Sequence, residues 1–341
     1  MSAAREPIFE LRGVSKRFEK RLDVAGRIAR SLGAKLRDEV VHAVDGVDLT
    51  IGRGEVVGLV GESGCGKSTL GRMVAGILPL SAGEIRRNGV VIARAGGAPE
   101  ADAAVLREAK LKTQMIFQDP YASLTPRMRV ADIVGEAPLV HGIVGRSDLD
   151  SYVDEQFRRA GLDPSLKRRY PHQFSGGQRQ RIGIARALAV QPDFLVCDEA
   201  VAALDVSIQA QILNLFLDLR RDLDLTYLFI SHDLGVVEHL SDRVVIMYLG
   251  RVVEEADTET VFRRANHPYT RSLLDSVPRI EARKRAFHPV RGEIPSPLNP
   301  PPGCHFHPRC PHAIPRCREE RPALREIAPG HRSACHLNEA A

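Results

Sequence analysis

A glycine-rich loop, GESGCGKS at residues 61–68, directly follows the apolar run 56–60. Apolar residues then recur at helical spacing, at Leu70, Met73, Val74 and Ile77. A strand, a loop of this form and a helix are typical of a site that binds phosphate groups, because glycines let successive backbone N–H groups face an anion. Lys67 can reach the β- and γ-phosphate oxygens, and the Ser68 hydroxyl can ligate Mg²⁺. The sequence therefore predicts a nucleoside triphosphate site, which outweighs the alternative of a glycine turn without a ligand.

Two adjacent carboxylates, Asp198 and Glu199, follow a second apolar run. Ionised groups are costly to bury, so an isolated pair would be explained as a polar strand end that meets solvent. Beside a phosphate loop, Asp198 can instead hold Mg²⁺ through water, and Glu199 can orient or deprotonate an attacking water. A further strand, 227–230, ends at His232, which we expect at the same sheet edge and within reach of the γ-phosphate.

The stretch FSGGQ, residues 174–178, precedes a long apolar-periodic segment. Ser175 can cap a helix, and the two glycines after it let backbone amides approach an anion. Taken alone, the stretch is an ordinary loop that leads into a helix. In a chain that already has one γ-phosphate site, it indicates a second phosphate-binding helix end that serves the nucleotide of another subunit.

The bulk composition fits a cytoplasmic protein of one large domain or two smaller ones. The chain has 341 residues and is 43% hydrophobic and 27% charged, and domains usually contain about 100–200 residues. No apolar run approaches the roughly 18 residues needed to span a bilayer, and the N-terminus lacks the apolar core of a signal peptide. The net charge of +5 lies on the two terminal regions. It suits an acidic protein surface or anionic lipid as well as nucleic acid.

With these motifs together, the chain resembles the ABC transporter ATPases, and within them the ATP-binding subunits of oligopeptide/dipeptide importers. Their order matches over about residues 8–275: GESGCGKST, a glutamine loop MIFQDPYASLTPRM, the signature FSGGQ, the metal strand FLVCDEA, a D-loop ALDVS and the switch histidine. The stretch SIQAQILNLFLDL and the tail, from HPYTRSLLDSVP to CREERP, resemble the peptide-importer branch, so the similarity covers nearly the whole chain.

The resemblance implies a role for each matching residue. The expected catalytic residues are Glu199, His232 and Gln118. The expected Mg²⁺ ligands are Ser68, Gln118 and Asp198. The expected ATP-binding residues are Gly61, Glu62, Ser63, Gly64, Cys65, Gly66, Lys67, Ser68 and Thr69, with Phe18 stacked on adenine. Across a dimer interface, Ser175, Gly176, Gly177, Gln178 and the D-loop residue Asp205 are expected to act on the partner's nucleotide.

The chain departs from the family pattern at two places. Ala200 and Ala202 stand where the family usually has Pro and Ser after the metal strand. Neither change removes a ligand or a proton acceptor, so hydrolysis should survive. A basic insertion, 19–41, precedes the first core strand and has apolar residues on one helical face at Leu22, Ala25, Ile28, Ala29, Leu32 and Leu36. The insertion could form a helix near the membrane or the permease, or a solvated surface helix, and both interpretations stay open.

Four of the six cysteines, Cys304, Cys310, Cys317 and Cys335, lie close to the C-terminus. Their spacing is not that of zinc-ribbon pairs, and four thiolates suit an iron–sulfur cluster. The proline-rich stretch 295–311 suggests that something other than a regular core holds this tail. The tail also resembles peptide-importer ATPases in which this set ligates a [4Fe-4S] cluster. We therefore expect that cluster, with zinc or free thiols as alternatives. Cys65 and Cys197 are expected to be packing residues.

The sequence predicts an α/β fold of the P-loop NTPase type, an ABC nucleotide-binding domain over 1–275 with a helical subdomain at about 119–171 and a Cys-bearing extension over 276–341. Its function would be ATP hydrolysis that powers peptide uptake at the cytoplasmic face of the inner membrane. The expected partners are two permease subunits, a second ATPase, either a paralogue or a second copy, and indirectly an extracytoplasmic binding protein, with no nucleic acid. The alternatives are a soluble ABC ATPase that acts on nucleic acid and an accessory subunit of a metabolic complex. The cargo stays open between peptides, nickel, opines and glycans.

Overall fold

The apolar runs singled out in the sequence form the central strands of a parallel sheet. The structure is a computed structural model, and it describes residues 5–20, 39–119, 121–276 and 292–339. The strands are β1 (Pro7–Lys20), β2 (Glu39–Gly52), β3 (Val56–Val60), β4 (Ala82–Arg87), β5 (Val90–Arg94), β6 (Thr113–Ile116), β7 (Phe194–Asp198), β8 (Thr226–Ile230), β9 (Arg243–Tyr248), β10 (Arg251–Asp257), β11 (Arg325–Ala328) and β12 (His331–Ser333).

The helices alternate with these strands and cover the sheet. They are α1 (Lys67–Val74), α2 (Ala103–Lys112), α3 (Val130–Val140), α4 (Leu149–Arg159), α5 (Gly176–Leu188), α6 (Val206–Leu223), α7 (Leu234–Leu240), α8 (Thr258–Arg264), α9 (Pro268–Asp275) and α10 (Arg316–Glu319). Short 3₁₀ turns lie at Pro164–Leu166, Pro171–Gln173, His307–Arg309 and His336–Glu339. Helix α6 shows why they pack: Ile212, Phe216 and Leu219 are buried at helical spacing on one face.

Within the described residues the strands form two sheets. The larger has eight strands in the order β11-β12-β10-β9-β3-β8-β7-β6, and the smaller has four in the order β2-β1-β4-β5. Strands β6, β7, β8, β3 and β9 run parallel. All five residues of β3, β7 and β8 are buried, as expected for parallel strands covered on both faces. The carboxyl ends of these strands therefore meet at one edge of the sheet, where the predicted site residues follow them.

The buried hydrophobic side chains form separate clusters on the two faces of the large sheet and beside the C-terminal tail. Helices α3 and α4, in the region predicted as a helical subdomain, share one cluster with α5, α6 and the large sheet through residues such as Ile133, Phe157 and Phe216. A second cluster lies between the two sheets and around α1. A third joins Tyr248 and Tyr269 to Phe306 of the C-terminal tail.

The predicted insertion lies between two strands, β1 and β2, that pair with each other. Its described ends continue a long antiparallel ribbon in which Phe18 lies opposite Val41 and Lys20 opposite Glu39. The apolar helical face predicted at Leu22 to Leu36 lies outside the described residues.

The C-terminal tail is held by the ordinary core, contrary to the expectation from its prolines. Strand β12 pairs with β10 in the large sheet, and Phe306 is 1% exposed. The Phe306 ring lies 5.3 Å from the ring of Tyr248 and 5.4 Å from that of Tyr269, between centroids. Residues 295–311 are rich in proline, yet one buried aromatic ring and one short strand attach the tail to the sheet.

Candidate functional site

The glycine loop connects buried β3 to helix α1 and is tightly packed. Gly66, the residue before α1, has a φ of +106°, which favours glycine. A Cβ atom on Gly66 would lie 2.1 Å from the Ala43 carbonyl oxygen. The loop therefore needs glycine at this position for two independent reasons, its backbone conformation and the close approach of the β2 backbone.

Lys67 and Ser68 begin helix α1 and are bound to different partners. Lys67 is buried, and its Nζ donates to the carbonyl oxygens of Gly61 at 2.7 Å and Glu62 at 3.1 Å. The Ser68 hydroxyl donates to Asp198 Oδ1 at 2.6 Å. The loop is thus folded around its own lysine, with a hydroxyl and a carboxylate in contact beside it.

Asp198 and Glu199 lie at the carboxyl end of β7, where Asp198 contacts Ser68 of the loop. Burial raises the pKa of Asp198, and the hydrogen bond from Ser68 partly offsets this. A buried carboxylate that contacts a hydroxyl supplies the hard oxygen donors that Mg²⁺ prefers, so these residues fit the predicted metal. Glu199 has a φ of +49°, and its N–H donates to the Ile230 carbonyl of β8 at 2.9 Å.

His232 and Gln118 reach the same edge from the neighbouring strands. The Nδ1 atom of His232 lies 3.4 Å from Glu199 Oε2. Strand β6 pairs with β7 so that Ile116 lies opposite Cys197, and Gln118, two residues later, therefore follows β6 at the same edge of the sheet. The structure therefore brings together the predicted lysine, serine, carboxylates, histidine and glutamine.

The FSGGQ stretch forms the start of helix α5 and lies in a different environment. Ser175 Oγ accepts from the Gln178 N–H at 3.3 Å, and Gln178 Oε1 accepts from the Ser175 N–H at 3.0 Å. This reciprocal capping box fixes the helix start. Ser175 and Gly176 are exposed. A Cβ on Gly177 would come within 2.5 Å of Ile208, so this helix start packs against the beginning of α6, which Asp205 precedes.

Comparison with known proteins places this geometry in a family. The model of the family described as "ABC transporter" matches residues 44–202, and the model described as "Oligopeptide/dipeptide transporter, C-terminal region" matches residues 253–317. An oligopeptide transport ATP-binding protein of Bacillus subtilis (strain 168), AppF, is 46% identical over 339 residues, covering 98% of this chain and 99% of that protein. The chain belongs to the ATP-binding subunits of the oligopeptide/dipeptide ABC importers.

Other relatives and solved structures agree with this membership. A protein of Brucella abortus (strain 2308) named as a peptide import ATP-binding protein is 52% identical over 300 residues, 87% of each chain. The structure of cbiO1 from Clostridium perfringens, part of an ABC transporter complex, has a TM-score of 0.59 at 26% identity and covers 76% of this chain and 92% of its own. The ATP-binding cassette MJ0796, a dimer in a post-hydrolysis state with ADP and Pi, has a TM-score of 0.60 at 26% identity, covering 73% and 98%.

As a peptide-importer ABC subunit, the chain is an ATPase that uses ATP and Mg²⁺. The relatives give no support to the nucleic-acid or metabolic-complex alternative. In the described part of the chain, no helix combines the length and apolar character that crossing a bilayer requires.

Phe18 lies on the ribbon that packs beside the phosphate loop of this ABC subunit. Its side chain is 41% exposed, and Lys16 Nζ lies 5.2 Å from the ring centroid. Its partner Val41 is two residues from Ala43, which contacts Gly66. An exposed aromatic ring therefore lies on the same strand pair that contacts the loop.

The iron–sulfur prediction is wrong on these findings. Over the described residues, no group of three or more His, Cys, Asp or Glu side chains is arranged to hold a metal ion, and the relatives are named as transport or import ATP-binding proteins. The zinc alternative has no support for the same reason. The four cysteines do line one cavity, of about 10 Å³, but burial raises the pKa of Cys304 to about 11. Cys317 is buried and the other three cysteines are half-buried, so we assign all four to packing within the tail.

Sequence reasoning missed Arg309 and Tyr269, which contact the phosphate loop from the C-terminal side. The Glu62 N–H donates to the Tyr269 hydroxyl at 2.9 Å. Arg309 makes two hydrogen bonds to the Glu62 carboxylate, and these raise the Arg309 pKa. The one sequence signal for this contact is the charged residue Glu62 inside the phosphate loop. It indicates a basic partner but does not identify Arg309 among the arginines of the chain.

Proposed function

We propose that this chain binds and hydrolyses ATP to power the uptake of peptides through a separate membrane permease. The observation that carries the proposal is the sheet edge where Lys67, Ser68, Asp198, Glu199 and His232 converge. The near full-length similarity to named oligopeptide transport ATP-binding proteins supports peptides as the cargo class. Nickel, opines and glycans are the alternative cargoes that the sequence left open.

In this proposal the phosphate loop holds the triphosphate. Its backbone N–H groups and the start of α1 face the phosphates. Lys67 exchanges its contacts with the Gly61 and Glu62 carbonyls for phosphate oxygens. The residues assigned to the loop are Gly61, Glu62, Ser63, Gly64, Cys65, Gly66, Lys67, Ser68 and Thr69, and Phe18 is assigned to stack on adenine.

Ser68, Asp198 and Gln118 are assigned to hold Mg²⁺. The metal, when bound, neutralises charge on the phosphate oxygens. The contact between Ser68 and Asp198 keeps the two oxygen donors together before nucleotide arrives. Gln118, which is exposed at the end of β6, can join them from the side of the helical region.

Glu199 and His232 are assigned to the attacking water. The hydrogen bond from the Glu199 N–H to β8 fixes the backbone from which its carboxylate reaches the site. His232, 3.4 Å away, can orient that carboxylate and contact the γ-phosphate. Glu199 would then accept the proton of the water.

The signature residues Ser175, Gly176, Gly177 and Gln178, together with Asp205, are assigned to the nucleotide of a second ATPase subunit. Their exposure supports this, because an uncovered helix start can receive an anion. Closure of the two subunits would move Gln118 and the helical region of about 119–171, and so act on two permease subunits. The domain division would be 1–275 for the ATPase and 276–341 for the extension, with the subunit peripheral on the cytoplasmic face of the inner membrane.

Glu199→Gln tests this proposal in the assembled transporter. We expect ATP turnover to fall by about 100-fold or more, because the proton acceptor is removed, while ATP binding persists and a closed dimer accumulates. Phosphate release by the assembled transporter, and ATP-dependent dimerisation of the isolated subunit measured by size-exclusion chromatography, would show this. Glu238→Gln, on the exposed side of α7, is the matched control and should keep wild-type turnover. Ordinary turnover by Glu199→Gln would contradict the assigned role.

A further inference from the structure

The phosphate loop carries a carboxylate that pairs with an arginine of the C-terminal extension. Arg309 Nη1 donates to Glu62 Oε2 at 2.6 Å, and Nη2 donates to Glu62 Oε1 at 2.9 Å. The Arg309 side chain is 5% exposed and that of Glu62 is 21% exposed. A bidentate, largely buried pair of this kind fixes both orientation and distance. It joins residues 247 positions apart in the chain.

The arginine is itself fixed by aromatic residues. Its guanidinium lies 5.8 Å from the centroid of Tyr248, and Nη1 is 3.4 Å from the Tyr248 hydroxyl. Tyr248 packs edge-on against Phe306, three residues before Arg309 in the chain. Because Tyr269 also accepts the Glu62 N–H, the backbone and the carboxylate of one loop residue are both held from this side.

The pairing matters electrostatically because ATP is an anion. Glu62 is the acidic residue of the loop assigned to the triphosphate, and its backbone carbonyl accepts from Lys67. An unpaired carboxylate there would repel the phosphates, and it would do so more strongly where burial lowers the effective dielectric constant. Arg309 supplies the compensating charge.

We propose that Arg309 is a positioning residue for ATP binding, through which the C-terminal extension neutralises Glu62 and holds the phosphate loop in its binding shape. This inference rests on the proposed role of the loop. It assigns to the extension a part in nucleotide affinity.

The test uses the full chain assembled with its transporter partners and a set of four variants: Arg309→Gln, Arg309→Lys, Glu62→Gln and the double variant Glu62→Gln/Arg309→Gln. We expect Arg309→Gln to raise the KM for MgATP about tenfold, as for loss of a charged hydrogen-bonded pair, with kcat nearly unchanged. Arg309→Lys should rescue part of the affinity, because it keeps the charge and loses the two-pronged geometry.

The double variant separates charge compensation from packing. Removing both charges leaves no unpaired carboxylate, so its KM should return most of the way from the Arg309→Gln value toward wild type. An additive loss in the double variant would overturn the proposal. So would a lower melting temperature of nucleotide-free Arg309→Gln combined with a wild-type KM, since that pattern indicates a structural role alone.

Two further variants make the outcome unambiguous. Arg318→Gln removes an exposed arginine of the same extension and should leave the KM unchanged. Lys67→Ala tests the loop itself. If Lys67→Ala weakens ATP binding and Arg309→Gln does not, the inference about Arg309 fails and the proposed function stands. If neither variant changes the KM, the assigned loop fails, and the inference fails with it.

Discussion

The phosphate loop and the signature helix are both glycine-containing helix starts, yet the structure treats them in opposite ways. The phosphate loop is packed: Lys67 is 4% exposed, Ser68 contacts Asp198, and Gly66 touches the β2 backbone. The signature helix start is open: Ser175 and Gly176 are exposed, and its capping bonds run between its own residues.

This difference indicates what each region needs from outside the chain. The phosphate loop already has its lysine, hydroxyl and carboxylate in place, so one subunit can bind a nucleotide there. In the proposed function, the exposed start of the signature helix binds an anion, the nucleotide phosphate of a second subunit. The following predictions test this division between a binding site within the chain and a contact made across an interface.

Lys67→Ala should produce the largest effect. Loss of the ammonium removes a charged contact with the triphosphate, and we expect the affinity of the isolated subunit for MgATP to fall by about 100-fold or more. Titration with a fluorescent ATP analogue measures this. Ser175→Ala should leave the same affinity unchanged, because in the proposed function its helix start contacts the nucleotide of a second subunit. An equal loss of MgATP affinity in Ser175→Ala would contradict the division between a site within the chain and a contact across an interface.

His267→Asn tests the buried support behind the phosphate loop. His267 is fully buried, and burial lowers its pKa to about 4, while an unfolded histidine has a pKa of about 6.5. Between these values the unfolded chain takes up a proton that the folded chain does not. Stability is therefore lost as the pH falls, by about 2 kcal/mol between pH 7 and pH 5 for this residue.

Asparagine keeps a capping oxygen for helix α9, where His267 Nδ1 now accepts from the Tyr269 N–H at 3.1 Å. The free energy of unfolding of His267→Asn should therefore depend less on pH than that of the wild type, measured by urea unfolding from pH 7 to pH 5. His141→Gln, at an exposed histidine, should keep the wild-type slope. An unchanged slope in His267→Asn would mean that folding does not lower the pKa of this histidine.

Gly176→Ala should have a smaller effect that separates stability from hydrolysis. A Cβ there would lie 3.9 Å from the Leu204 side chain, so the isolated subunit should be unchanged or stabilised by up to about 1 kcal/mol. The methyl group would occupy the space through which a partner's phosphate approaches, and we expect hydrolysis by the assembled transporter to fall about tenfold.

Gly183→Ala, in the same helix, is the matched control, since nothing lies within 4 Å of its added Cβ. It should stabilise the helix and leave hydrolysis unchanged. Equal hydrolysis in both glycine variants would argue against a contact at Gly176.

Local sequence patterns predicted the parts of the site that depend on neighbouring residues. The phosphate loop, the acidic strand end and the capped signature helix each combine an apolar run with turn or capping residues, so their form follows from short-range rules. Parallel pairing then brings Gln118, Asp198 and His232 to one edge, because the carboxyl ends of parallel strands share that edge.

Long-range contacts could not be predicted in the same way. The pairing of β12 with β10 and the ion pair of Arg309 with Glu62 depend on how the tail returns to the sheet, which no local pattern encodes. The cysteine prediction failed for a related reason: spacing alone cannot tell a ligand set from thiols that pack near a buried ring such as Phe306. The pairing of β1 with β2 is also a long-range contact, and the described ends of the insertion extend this strand pair.

The position of β12 late in the sequence has a consequence for the folding of the chain during translation. Strand β10 leaves the exit tunnel long before residues 331–333, so its outer backbone groups have no β12 partner while the tail is being made. Uncovered strand edges invite pairing with other chains. Once complete, the sheet ends instead at β11, where charged residues such as Arg325 and Glu326 are exposed. Chains released early should therefore aggregate through β10, which gives the tail a protective role during translation.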